Sequence, residues 1–183
     1  MAKATNDIVM DASLDKLAEA DNLNVCSAQP LTYYEAIDPS AWQAGLGYIL
    51  GDAARPTIRN GYAYEVTTAG TSGASEPAWP TVIGATVVDG GVTWTCRANY
   101  NLAAGALITT DFTKANGDIS GRKTTVAAKT GLGIHTTGTA THVATADDAT
   151  KVFLDVTTCT SQGLTSGGTV DTPAWDHEIQ DPV

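Results

Sequence analysis

Positive charge is scarce in this chain. Ten Lys and Arg stand against twenty Asp and Glu, for a formal net charge of -10. Neutralising a phosphate backbone takes clustered cations, and scattered ones argue against a nucleic-acid partner. Long hydrophobic runs are missing as well. None approaches the roughly 18 to 20 residues that a membrane span needs, and the opening MAKATNDIVMDASL has no apolar core of a signal peptide. The expectation is a protein without membrane insertion that stays in the cytosol or leaves by lysis. Cysteine is limited to Cys26, Cys96 and Cys159, an odd number without CxxC spacing. That pattern predicts free thiols rather than a disulfide framework or a zinc site. No G-x-S-x-G elbow, HExxH or phosphate-cradling loop occurs, and the glycines of GTSG have no following Lys and helix. No enzymatic activity, no metal and no cofactor are therefore predicted.

What the chain does have is 183 residues, 43% of them hydrophobic and only 16% charged, with Thr, Ala and Gly prominent. The hydrophobic share suffices for a core, and the mixture suits an all-β fold of short strands and tight turns. One helix is predicted in MDASLDKLAEADNL, where Met10, Leu14, Leu17 and Ala18 share a face and Asp11 is placed to cap the start. It should lie across a sheet. LNVCSAQP reads as a strand stopped by Pro30, and the following stretch to Pro56 has no clean period. YAYEVTT then alternates, with Tyr62, Tyr64 and Val66 on one face. ATVVDGGVTWTCR reads as a hairpin turning at Asp89 and Gly90, with Val92, Trp94 and Cys96 on one side. AGTSGASEPAWP between them is a loop held by glycines and prolines.

Beyond Asn99 aromatics thin out, and ALITTDF, RKTTVAAK, LGIHT, ATHVATAD, KVFLDVTTC and TPAWDHEIQ are predicted strands, spaced as in a sandwich. Val152, Leu154 and Val156 are expected on one face, as are Trp175, His177 and Ile179. The reading is a β-sandwich made of residues 1–37 and 99–183, interrupted by an aromatic-rich β-module at 38–98.

The outer segments carry VCSAQP, GDISGRK and TTCTSQ, together with NDIVMDASLDKLAEADNL, GTATHVA and WDHEIQDP. In these pieces the chain resembles a family of small structural proteins of tailed bacteriophages. The inserted segment, through GYILGDAARP, GYAYEVTTAGTSGASEPAWP and DGGVTWTC, is similar to the chitin-binding type of carbohydrate-binding module. That likeness rests on Tyr62, Tyr64, Gly70, Gly73, Pro77, Trp79, Pro80, Gly90 and Trp94. The resemblance implies a non-enzymatic virion protein assembled in the host cytoplasm, with capsid decoration as the first expectation and a neck or tail appendage as the alternative. Implied partners are the major capsid protein or neck and tail proteins, further copies of the chain in a homo-oligomer, and cell-surface polysaccharide as a candidate ligand.

Two roles are open to Trp79: a rigid surface for a sugar ring, or a staple pinning its loop to the hairpin. Trp42, Tyr62, Tyr64 and Trp94 are the other candidate contacts, each also explicable as core of a small module. His135 and His142 would approach each other if the glycine between them made a hairpin, but two imidazoles make a poor metal site. His177 reads as a packed histidine, and Asp147 and Asp148 as a turn.

Overall fold

The computed structural model describes residues 5–182; residues 1–4 and 183 lie outside it. Among the described residues the protein is all-β, with fifteen strands and two helices. In chain order these are α1 (Asp7–Leu17), β1 (Asn22–Cys26), α2 (Tyr33–Ala36), β2 (Gly47–Tyr48), β3 (Ala53–Ala54), β4 (Tyr62–Thr68), β5 (Gly70–Thr71), β6 (Thr86–Asp89) and β7 (Val92–Ala98). There follow β8 (Asn101–Ala106), β9 (Phe112–Asn116), β10 (Arg122–Val126), β11 (Lys129–Gly133), β12 (Gly138–Asp147), β13 (Val152–Leu164), β14 (Thr169–Thr172) and β15 (Trp175–Ile179).

The principal sheet has the order β13-β12-β1-β8. Its strand β1 precedes residues 38–98 and its other three strands follow them, so one antiparallel sheet joins the two ends of the chain. A second layer is split into a three-stranded sheet, β15-β10-β9, and the pair β11-β14. Between the layers lies a core of Leu23, Val25, Leu102 and Val143 from the first and Val126, Leu132 and Val170 from the second. This is the alternating, inward-facing burial of a sandwich. The far face of the principal sheet buries Cys26, Ala144 and, half-buried, Phe153 and Val156 against Ala36 of α2.

Helix α1 packs Met10 and Leu14 inward. Its cap is Asn6, whose side chain accepts from the Ile8 N–H at 2.9 Å. The expected cap, Asp11, lies a turn further along, where its carboxylate takes both Nε (2.8 Å) and Nη2 (3.2 Å) of Arg122 on β10. Placing Asn6 at the cap brings Asp7 into the first turn, where a carboxylate favours the helix dipole.

The predicted strand ALITTDF is interrupted. β8 ends at Ala106, and Thr109–Asp111 form a 3-10 turn before β9. The Asp111 carboxylate accepts from the Ile108 N–H at 2.8 Å and from Lys129 at 2.6 Å, a local bond that competes with ladder pairing. In β13 the expected face is broken by a register shift opposite Thr145 and Ala146. Ala144 pairs with Val156 and Ala146 with Phe153, leaving Leu154 as the extra residue. The bulge sends Leu154 to the sandwich core while Phe153 and Val156 face α2. The hairpin between His135 and His142 does not form, because β11 pairs with β14 instead of β12.

Strands within residues 38–98 hydrogen-bond only with one another, as the sheet β3-β4-β7-β6 and the pair β2-β5. Tyr64 pairs with Cys96 and Val66 with Trp94, so the two faces expected from alternation meet in one aromatic cluster. The β6–β7 turn sits one residue later than expected. Asp89 pairs with Val92, leaving Gly90 and Gly91 as the loop. Gly90 has φ +60, and a Cβ there would stand 2.6 Å from the Thr71 carbonyl oxygen. Both the left-handed backbone and the close strand explain that glycine.

Candidate functional site

The interior of the aromatic segment is organised around one buried carboxylate. Asp89, 4% exposed, ends β6 and points under the turn. Its Oδ2 accepts from Trp42 Nε1 at 2.7 Å and Trp94 Nε1 at 3.2 Å, while its Oδ1 accepts from the Gly73 N–H at 2.8 Å. Each donor comes from a different stretch of chain, so a single side chain ties them together. Gly73 has no room for a side chain, since a Cβ would stand 2.6 Å from Asp89 Oδ1.

Trp79 stands over this core. Its ring lies 4.3 Å from Tyr64 and 5.6 Å from Trp94, the latter edge-on at 70°, and its indole N–H donates to Glu76 Oε1 at 2.8 Å. Tyr64 donates its hydroxyl to the Pro80 carbonyl at 2.8 Å. Burial pushes the Tyr64 phenol up to about 12, so it remains a donor. These contacts give Trp79 the geometry of a staple, with the ring half-buried. Trp42, Tyr64 and Trp94 are interior, Tyr64 and Trp94 completely so. Burial removes all three from any contact surface, which corrects their place among the candidate contacts. Tyr62 remains half-exposed.

Tyr62 lines a cleft between the aromatic segment and the sandwich, about 180 Å³ in volume, with Arg55, Arg59, Asn99, Asn101 and Thr136 on its wall. Arg59 grips Asp38 with both nitrogens, at 2.7 and 2.9 Å. Behind the wall, Asn101 is 3% exposed and donates to Asn24 Oδ1 at 2.7 Å and to the Ala36 carbonyl. With its amide nitrogen so engaged, Asn101 Oδ1 accepts from His135 Nε2 at 2.7 Å. That places the proton on Nε2 and leaves Nδ1 to accept from the Thr136 hydroxyl at 2.9 Å.

Burial is the main force holding His135 below its ordinary value. Arg59 and Arg55 push the same way, and Asp38 opposes them. The folded state therefore binds fewer protons at this ring than the unfolded chain. Its contribution to stability is complete above about pH 6.5 and is lost as the pH falls below that value. His135→Gln is expected to flatten the decline in melting temperature between about pH 6.5 and 5. An unchanged decline would remove His135 as its source.

His142 and His177 lie elsewhere, His142 against the Thr141 hydroxyl and His177 with Nδ1 3.4 Å from Asp155. Among the described residues no three His, Cys, Asp or Glu side chains form a metal-binding group, and no helix is long and apolar enough to cross a membrane. The thiols are free. Cys26 and Cys159 pack on opposite faces of the principal sheet, and burial raises Cys26 to about 12.

Beside β13 the two layers part over a cavity of about 380 Å³ lined by Val143, Cys159, Val170, Thr172 and Trp175. Trp175 Nε1 and Thr172 Oγ1 are buried there without a hydrogen-bond partner. Comparison with protein-family models, curated proteins and solved structures finds no significant match to this chain.

Sequence reading missed Asp89 as a site residue because DGG reads as turn. It also missed Arg55 and Arg59, which lie in or just after the stretch without a period. The one available signal was that the only two arginines between residues 38 and 96 stand four apart.

Proposed function

We propose that this chain is a non-enzymatic structural protein of a tailed-bacteriophage virion, decorating or cementing the capsid through its sandwich while residues 38–98 project outward. The observation that carries the reading is β13. It is thirteen residues long, about 43 Å at about 3.3 Å per residue, and it closes one edge of the principal sheet. Beyond β12 it has no strand partner among the described residues. Asp155 is its single charge, and it contains no Lys and no Pro. Such an edge lacks the Lys and Pro guards against strand addition, and bulges interrupt it only at Leu154 and between Thr158 and Gln162, which suits a protein that repeats side by side or docks on another sheet. The acidic balance keeps free copies soluble.

The test is occupancy on particles that lack the native protein. Thr160 and Gln162 are exposed on β13, and lysines at an edge oppose pairing. Thr160→Lys with Gln162→Lys is expected to lower occupancy at least tenfold, with stability held within about 1 kcal/mol as for surface changes. Full occupancy by this variant would sink the β13 reading.

A neck or tail appendage that aids adsorption to host glycans is the second reading. It draws on the surface of residues 38–98, where Ile49, Leu50, Val82 and Ile83 are exposed and Tyr62 opens onto the cleft. Copy number separates the two: hundreds per particle fit decoration, and a small ring number fits a neck or tail.

A further inference from the structure

The cleft between the aromatic segment and the sandwich has an unusual charge balance for this chain. Its wall carries two guanidiniums, Arg55 and Arg59, and no carboxylate, although acidic residues outnumber basic ones two to one overall. Elsewhere among the described residues most cations are matched, Lys151 standing 3.8 Å from Asp52. Arg97 pairs with Glu65, Lys114 with Asp15, Arg122 with Asp11, Lys129 with Asp111, and Lys123 with both Asp118 and Asp176. Beside the cleft wall a single carboxylate, Asp38, serves two arginines, hydrogen-bonded through Oδ2 to Arg59 at 2.9 Å with its Oδ1 2.7 Å from the same guanidinium.

Arg55 is left short. Its Nε lies 3.8 Å from Asp38 Oδ1, too long for a hydrogen bond, and is buried without a partner. Its one hydrogen bond among the described residues runs from Nη1 to the adjacent Pro56 carbonyl at 3.1 Å. A guanidinium offers five donors in a fork matched to an oxyanion, so most of this fork is unused. Around it the wall offers polar groups from both sides: Ser27, Asn99, Asn101, Thr136 and Thr137 of the sandwich, and the Tyr62 ring opposite. The volume, about 180 Å³, is below the roughly 300–1,000 Å³ of drug-sized sites and suits one small ring or head group.

We propose that this cleft binds a small hydroxylated oxyanion, a carboxylate- or phosphate-bearing sugar in size and chemistry, with Arg55 as its principal anchor. The anion supplies the acceptors that Arg55 lacks and balances the surplus positive charge, while Thr136, Thr137 and the oxygen of Asn99, whose amide nitrogen is already committed to the Tyr34 and Ile37 carbonyls, take the hydroxyls. The inference does not depend on the chain's place in a particle.

The experiment is a titration of the isotope-labelled full chain followed by amide and Arg side-chain resonances, with sodium glucuronate, inorganic phosphate and neutral glucose as separate probes. Either anion is expected to move signals of Arg55, Tyr62, Asn99, Asn101 and Thr136, and glucose to leave them in place. The stronger anion identifies carboxylate or phosphate as the group preferred. Arg55→Gln, which keeps a polar side chain, is expected to weaken binding at least tenfold, and Arg55→Lys to restore only part of it. Should Arg55→Gln fail to fold, the wild-type titration still decides. Absence of localised shifts with both anions at tens of millimolar, equal shifts with glucose, or undiminished binding by folded Arg55→Gln would each overturn the proposal.

Discussion

Asp89→Ala is expected to cost about 4 kcal/mol or more and to melt the aromatic segment ahead of the sandwich. The change strands three donors at once: the buried indole N–H groups of Trp42 and Trp94 and the half-buried backbone N–H of Gly73. A buried donor without an acceptor costs about 1 to 3 kcal/mol, and nothing else among their recorded hydrogen bonds replaces Asp89. The loss also unties three stretches of chain that this one carboxylate holds together. Urea denaturation followed by tryptophan emission reads the event directly, because Trp42, Trp79 and Trp94 all lie in this segment and only Trp175 lies in the sandwich. Asp89→Asn keeps one acceptor but turns an NH₂ group toward a donor, so its midpoint should fall between those of wild type and Asp89→Ala. An unchanged midpoint for Asp89→Ala would show that the carboxylate does not organise this core.

How far the fold was legible depended on whether a local rule stood alone. At Tyr62, Tyr64 and Val66, and again at Val92, Trp94 and Cys96, strict alternation placed the right side chains in one core because the one register shift between the two strands adds its extra residue to β4 after Val66 and leaves the alternation of β7 intact. In β13 the same rule failed after one bulge, since an extra residue reverses every face beyond it. The helix was legible from Met10 and Leu14, yet its cap fell to Asn6, as both Asn6 and Asp11 have the chemistry and only the chain's path chooses. All-β character followed from composition, whereas the split second layer did not, because pairing β11 with β14 is decided by contacts about forty residues apart. The cleft was the least legible feature. It takes Arg55 and Arg59 from one segment and Asn101 and Thr136 from two others, and no periodicity links residues that meet only once both parts have folded.

Trp79→Ala carries the other large expected effect, and it separates the two roles that the sequence left open. The ring packs on Tyr64 and Trp94, so truncation removes both aromatic contacts, each worth about 0.5 to 1.5 kcal/mol beyond area burial. It also opens a gap above Tyr64 and frees Glu76, whose carboxylate holds both the Trp79 indole and the Thr57 N–H. Fully buried tryptophans cost about 3 to 5 kcal/mol when cut to alanine. With its ring half-exposed, Trp79 is expected near the lower end, about 3 kcal/mol, seen as an earlier urea transition in tryptophan emission. A contact residue on a rigid surface would behave otherwise, losing polysaccharide binding with its transition unmoved. That outcome would overturn the staple geometry as the residue's role. Particle occupancy offers the complementary measurement. The β13 edge belongs to the principal sheet, and Trp79 packs within a cluster drawn entirely from residues 42–96. A chain destabilised at Trp79 should therefore occupy particles as well as wild type below its first transition. Loss of occupancy there would move the docking surface from the sandwich to the aromatic segment.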